Sequence, residues 1–162
     1  MEKLDEIPGI GKQSAETILA ETGLDMSRFP SEKHLSSWTG LAPGDNESAG
    51  KRHSGKTTKG NPTLKTTLIQ CAKAAIKKTD SFLSAQYQRL VVRRGKHRAT
   101  VAVAHTMLIA IYHMLKDGRL FIDLGAEYYN QFNRDRKIKS YLAKLKKLDW
   151  TPEAATLSGA TT

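Results

Sequence analysis

The stretch Ala99-Thr100-Val101-Ala102-Val103-Ala104-His105-Thr106-Met107-Leu108-Ile109-Ala110-Ile111-Tyr112-His113-Met114-Leu115 decides the fold. It is the longest apolar run in the chain and holds no Asp, Glu, Lys or Arg. A bilayer span takes about 20 such residues. This run is shorter and carries His105 and His113, so it predicts the central buried helix of a cytosolic, non-membrane protein.

Reading outward, Gly95 separates that helix from one that Ser81 starts and that runs to about Arg94, with Phe82, Leu83, Tyr87 and Leu90 apolar. Downstream, Asp117-Gly118 ends the central helix. Residues 126–148 then predict a Lys-rich amphipathic helix or helix pair, and residues 151–162 a disordered tail. Upstream, Pro62 suits the first position of a helix in which Leu64, Leu68, Cys71 or Ala72, and Ala75 recur at helical spacing. Ser31 is placed to cap a helix through Trp38. A helix over residues 12–21 puts Ala15, Ile18 and Leu19 on one face, and Thr22-Gly23 stops it.

No run alternates convincingly and no segment repeats, so the predicted fold is all-α. It comprises a glycine-turn element over 1–24, a core over 25–120, basic helices over 121–150 and the tail. Between the helices, residues 39–62 carry glycines at 40, 44, 50, 55 and 60, and Pro43 and Pro62. Structureless loops of that length are uncommon in compact domains unless functional or disordered.

The formal charge of +10 asks for a polyanionic partner. Its distribution is one-sided: acids crowd the first quarter, whereas from Ser48 to Lys116 the only acid is Asp80. A single cysteine, Cys71, rules out an intrachain disulfide and a Cys-rich zinc site and reads as a buried thiol. His34, His53, His97, His105 and His113 form no metal pattern. Arg93-Arg94-Gly95-Lys96-His97-Arg98 reads as a basic turn, open to phosphate contact or plain solvation. Tyr128, Tyr129 and Trp150 read as packing residues rather than a stacking platform.

Two segments carry candidate chemistry. Ile7-Pro8-Gly9-Ile10-Gly11-Lys12 looks like a helix-hairpin-helix element, in which glycines let backbone approach a phosphate and Lys12 adds charge. The alternative is a glycine-tight turn that serves packing alone. The second comprises Gly40-Leu41-Ala42-Pro43, Ser48-Ala49-Gly50-Lys51-Arg52, Lys56, and Lys59-Gly60-Asn61-Pro62 with Lys65. A basic, hydroxyl-bearing loop ending on a helix start can hold a phosphodiester. On these residues alone, a disordered basic loop that contacts phosphates without chemistry is the favoured reading.

The order Ile-Pro-Gly-Ile-Gly, Arg28-Phe29, Gly-Leu-Ala-Pro, Ser-Ala-Gly-Lys and Lys-Gly-Asn, with a basic residue four after that Asn, resembles the C-terminal domain of transposases of the insertion-sequence one-ten family. The likeness covers about residues 4–118. It implies a DNA-acting domain whose serine attacks a phosphodiester and becomes joined to DNA. That serine maps onto Ser48, with Ser54 as the alternative. Gly9, Gly11, Lys12, Lys51, Arg52, Lys56, Lys59, Gly60, Asn61 and Lys65 would hold nucleic acid. The resemblance further implies a guide RNA, a homo-oligomeric assembly, and a RuvC-like domain, in cis or in trans, that binds Mg²⁺ through four acids. No cofactor is expected in this chain, which would lack that domain. The family's Ser-Gly is here Ser48-Ala49-Gly50, and Lys65 stands in place of an Arg, losing a bidentate fork. A non-catalytic helix-hairpin-helix binder and an inactive transposase remnant are the alternatives.

Overall fold

The computed structural model describes residues 4–42, 46–48, 51–54, 57 and 59–148, with backbone only at 46–48, 51–54, 132, 133, 135 and 136. Six α-helices and one short hairpin are assigned among these residues: α1 (Lys12–Thr22), α2 (Glu32–Thr39), β1 (Asn46–Ser48), β2 (Lys51–Ser54), α3 (Pro62–Ala75), α4 (Phe82–Arg94), α5 (Lys96–Asp117) and α6 (Gly125–Lys146). The body is all-α, as the apolar periodicities require. The predicted tail and Trp150 lie outside the described residues.

α5 is the centre. Val103, Ala104, Met107, Leu108, Ile111 and Tyr112 are buried along it, and α2, α3 and α4 pack around it. Its length and hydropathy would also suit a membrane span, but half of that stretch is buried against its neighbours, which is what a core helix does. Buried residues form one continuous cluster from Leu4 to Met114, so the first helix shares its core with the rest. α1 packs on α3, and α6 packs chiefly on α4.

Helix ends follow local chemistry. Asn61 caps α3, its Oδ1 accepting from the Leu64 amide at 3.0 Å, with Pro62 following at the first position. Ser81 caps α4 through the Ser84 amide at 3.1 Å. Ser31 differs from expectation. It occupies the N-cap of α2 but bonds His34 Nδ1 at 2.9 Å instead of a backbone amide. Gly95 is the sole residue between α4 and α5, so Arg93, Arg94, Lys96, His97 and Arg98 sit on helix ends and not in an open turn. Phe82 meets the Tyr129 ring edge-on at 4.9 Å and Tyr128 at 6.4 Å, the packing role expected of both tyrosines.

Candidate nucleic-acid interface

The loop over residues 39–62 leaves α2 and returns to α3 through a closed neck. Gly40 ends α2 in the left-handed region at φ 77°, a conformation that suits glycine. On the return, the Asn61 amide donates to the Trp38 carbonyl at 3.0 Å. Gly60 lies so close to the Thr39 and Gly40 backbone that a Cβ there would collide with both. Asn61 Nδ2 donates to Glu21 Oε2 at 2.6 Å, tying the neck to the last turn of α1. Helix ends from α1, α2 and α3 are thereby held at one point.

Beyond the neck the backbone forms an antiparallel hairpin, in place of the irregular loop that the sequence predicts. Asn46 pairs with Ser54, Glu47 with Arg52 and Ser48 with Lys51, and His53 is the extra residue of a bulge. Ser48 ends β1 and faces Lys51 across the ladder as the last pair before the turn. The side chains of Ser48, Lys51, Arg52 and Ser54 lie outside the described residues, as does Lys56 altogether. Lys65, half-buried in the first turn of α3, donates from Nζ to Thr57 Oγ1 at 2.8 Å and anchors the hairpin's exit. Lys59 is exposed at the neck.

The glycine turn is a separate site. Gly9 adopts φ +85°, and a Cβ there would strike the Cys71 carbonyl and the Ala75 backbone at the end of α3. Its lack of a side chain therefore serves close packing. Gly11 faces open space and starts α1 without a side-chain cap, and Lys12 is exposed beside it. Because the start of α1 meets the end of α3, and its end meets Asn61 at the start of α3, the two helices run antiparallel. Lys12 thus stands about 14 Å along α1 from the neck, at 1.5 Å per residue. Ser48, Lys51, Arg52, Lys59, Gly60, Asn61 and Lys65 belong to the neck and hairpin, whereas Gly9, Gly11 and Lys12 belong to the opposite end.

Sequence reasoning missed the partners that fix this geometry. Glu21 and Thr57 carry no motif, and their roles exist only because distant segments meet. Cys71 is buried as expected, and burial pushes its thiol pKa up, away from reactivity. Among the described residues no three His, Cys, Asp or Glu side chains converge. They do not fit the magnesium ion that the resemblance implies.

These features define a small helical domain that presents a pinned, cation-bearing hairpin. Residues 1–88 match the sequence model of the family described as Transposase IS116/IS110/IS902, and the chain belongs to that family. It is similar to the "Insertion element IS110 uncharacterized 43.6 kDa protein" of Streptomyces coelicolor (strain ATCC BAA-471 / A3(2) / M145), at 30% identity over 120 residues. That alignment covers 73% of this chain and 29% of the relative, so the chain spans less than a third of that protein's length. No solved structure matches the chain.

Proposed function

We propose that this chain is the serine-bearing domain of a DNA transposase, with Ser48 as the nucleophile. Its Oγ gives up its proton and forms a bond to a backbone phosphorus of DNA. The phosphorus–oxygen bond to one ester oxygen breaks, and that oxygen leaves as a strand-end hydroxyl, taking up a proton. The observation that carries the reading is the position of Ser48, opposite Lys51 at the end of a hairpin whose neck is held by Asn61 and Gly60. A nucleophile must be held within a few tenths of an ångström of its attack geometry, and a neck fixed to three helices supports that. Lys51, Arg52, Lys56 and Lys59 would neutralise the strand, while Lys65 keeps the hairpin's exit in place.

Family membership supports DNA as the partner. Gly11 and Lys12, with the free amides at the start of α1, would contact a second stretch of phosphate backbone. A guide RNA, further copies of the chain and a RuvC-like domain supplying metal-binding acids complete the proposed assembly.

Covalent trapping tests the reading. The chain, a RuvC-like partner domain, guide RNA, Mg²⁺ and labelled donor DNA are combined and resolved on a denaturing gel. A protein–DNA adduct that disappears in Ser48→Ala and persists in Ser54→Ala is expected. An adduct that survives Ser48→Ala removes Ser48 from the role. Tight DNA binding with no adduct in any variant supports a binding module instead.

A further inference from the structure

A groove runs along α6 beside α4. Arg89 from α4 and Glu127, Asn130, Gln131, Arg134, Lys137, Ile138 and Tyr141 from α6 line an open cleft of about 590 Å³. The start of α6 is fixed: Asp123 Oδ1 accepts from the Phe82 amide at 2.9 Å and the Gly125 amide at 3.0 Å, and the Ala126 amide donates to the Asp80 carbonyl at 3.1 Å. The two helices start side by side, and contacts from Phe82–Tyr129 onward to Arg89 and Tyr141 show them running the same way. With 13 residues in α4 and 22 in α6, α6 extends past the end of its neighbour.

No described residue of α6 is buried. The helix is anchored at its start, where Tyr129 packs on Phe82, and leaves most of its length exposed. That surface is rich in cations, with Arg134, Lys137, Lys139, Lys144 and Lys146 exposed along it. Among the described residues the ion pairs are His113–Asp117 and Arg119–Asp117 alone, so Arg89, Arg93, Arg134 and Lys137 pair with no described carboxylate. The groove's own acid, Glu127, accepts from Gln131 at 3.3 Å. Tyr141 is 58% exposed, and the Lys144 ammonium stands 6.0 Å from its ring centroid.

We propose that the α4–α6 groove binds a single-stranded nucleic-acid segment, as a site separate from the Ser48 hairpin. Unpaired bases can stack on an exposed ring such as Tyr141, whereas the bases of a duplex are already paired and stacked within it. A single strand fits: phosphates lie along Arg89, Arg134 and Lys137, and a base stacks on Tyr141 over the Ile138 side chain. Asn130 and Gln131 offer amides to base edges. The hairpin is attached where α2, α3 and the end of α1 meet, and α5 and α4 intervene between α3 and α6. The groove is thus a site apart from the hairpin, and its binding does not depend on the serine chemistry.

The test is fluorescence anisotropy of the full chain with labelled single-stranded DNA, single-stranded RNA and duplex DNA across a salt series. One variant carries Arg89→Glu, Arg134→Glu and Lys137→Glu. A control of equal charge carries Lys73→Glu, Lys77→Glu and Lys78→Glu, in the last turn of α3 and the turn after it, and thermal melts establish that both fold. The groove variant should lose at least about tenfold more single-strand affinity than the control, and its salt slope should fall by about 2, the value for three single-strand phosphate contacts. Tyr141→Leu should weaken binding about fivefold or more, with Tyr141→Phe unchanged. Should the triple reversal unfold, Arg89→Gln and Lys137→Gln serve singly. A preference for RNA or for DNA identifies which strand the groove takes. Equal losses in groove and control variants, or a silent Tyr141→Leu, would overturn the proposal. Ser48→Ala should leave this binding unchanged, which keeps its failure distinct from failure of the nucleophile assignment.

Discussion

Asn61 and Glu21, forty positions apart, are joined by a 2.6 Å hydrogen bond, while the same Asn61 side chain caps α3 with its oxygen. One amide thus uses its donor end on α1 and its acceptor end on α3. Asn61→Ala removes both and should cost about 1–2 kcal/mol, the usual loss of an N-cap with a part-buried acceptor left unpaired. Asn61→Asp keeps the cap but sets two carboxylates together. Its cost should be relieved by Glu21→Gln, so a double-mutant cycle by denaturant unfolding should give a clear coupling energy. Additive effects would show that the bridge has no energetic weight.

Gly9 and Gly11 should respond in opposite ways to the same change. Gly9→Ala puts a methyl group into the α3 backbone at a positive φ, and the cost should reach about 2–4 kcal/mol. Gly11→Ala meets open space at φ −98°, and should stay within about 1 kcal/mol. Gly11→Val, if that end of α1 receives a phosphate, should lower DNA affinity without lowering the melting temperature. Equal stability losses at both glycines would contradict the packing role of Gly9.

Most of this fold was legible in the sequence because helices advertise themselves locally. The apolar period around Leu64, Leu68 and Ala75, the helix starts at Pro62 and Ser81, and the stops at Gly23 and Gly95 each depend on a few neighbouring residues. The hairpin was not legible. Strands of three and four residues interrupted by a bulge at His53 are too short to show alternation. Gly60 illustrates the other limit. Its sequence context suggested room for a phosphate, yet the space is taken by the Thr39–Gly40 peptide, which only tertiary structure brings there.

His105 gives the fold a pH dependence. Burial on α5 lowers its pKa from the ordinary value of 6.5, because the charged form is poorly solvated there. The unfolded chain therefore takes up a proton before the folded one does. Stability is undiminished above about pH 6.5 and falls as pH drops below that value toward the lowered folded pKa. Thermal melts between pH 7.5 and about 5 should show the decline, and His105→Gln, which cannot titrate, should flatten it. An unchanged slope in His105→Gln would assign the acid sensitivity to other groups.

Tyr112 ties the central helix to the segment before α2, its hydroxyl donating to the Phe29 carbonyl at 3.0 Å from a buried position. Lys116, one turn on, donates to the Tyr112 hydroxyl oxygen at 2.8 Å and lies over the ring at 5.1 Å. Phe29 in turn packs on Trp38 at 5.4 Å, so the link leads toward the neck of the hairpin. Tyr112→Phe keeps the ring but strands the Phe29 carbonyl, and should cost about 1–2 kcal/mol. Lys116→Met leaves that carbonyl bonded and should cost less. The hydrogen bond to Tyr112 raises the Lys116 pKa above its ordinary 10.5, so its stabilising effect is complete below that value and lost as pH rises through the higher folded one. Melts toward alkaline pH should therefore fall less steeply in Tyr112→Phe than in the parent chain. If the two variants cost the same at neutral pH, the carbonyl bond is not what holds Phe29 in place, and packing of its ring on Trp38 becomes the better account of how that segment is fixed.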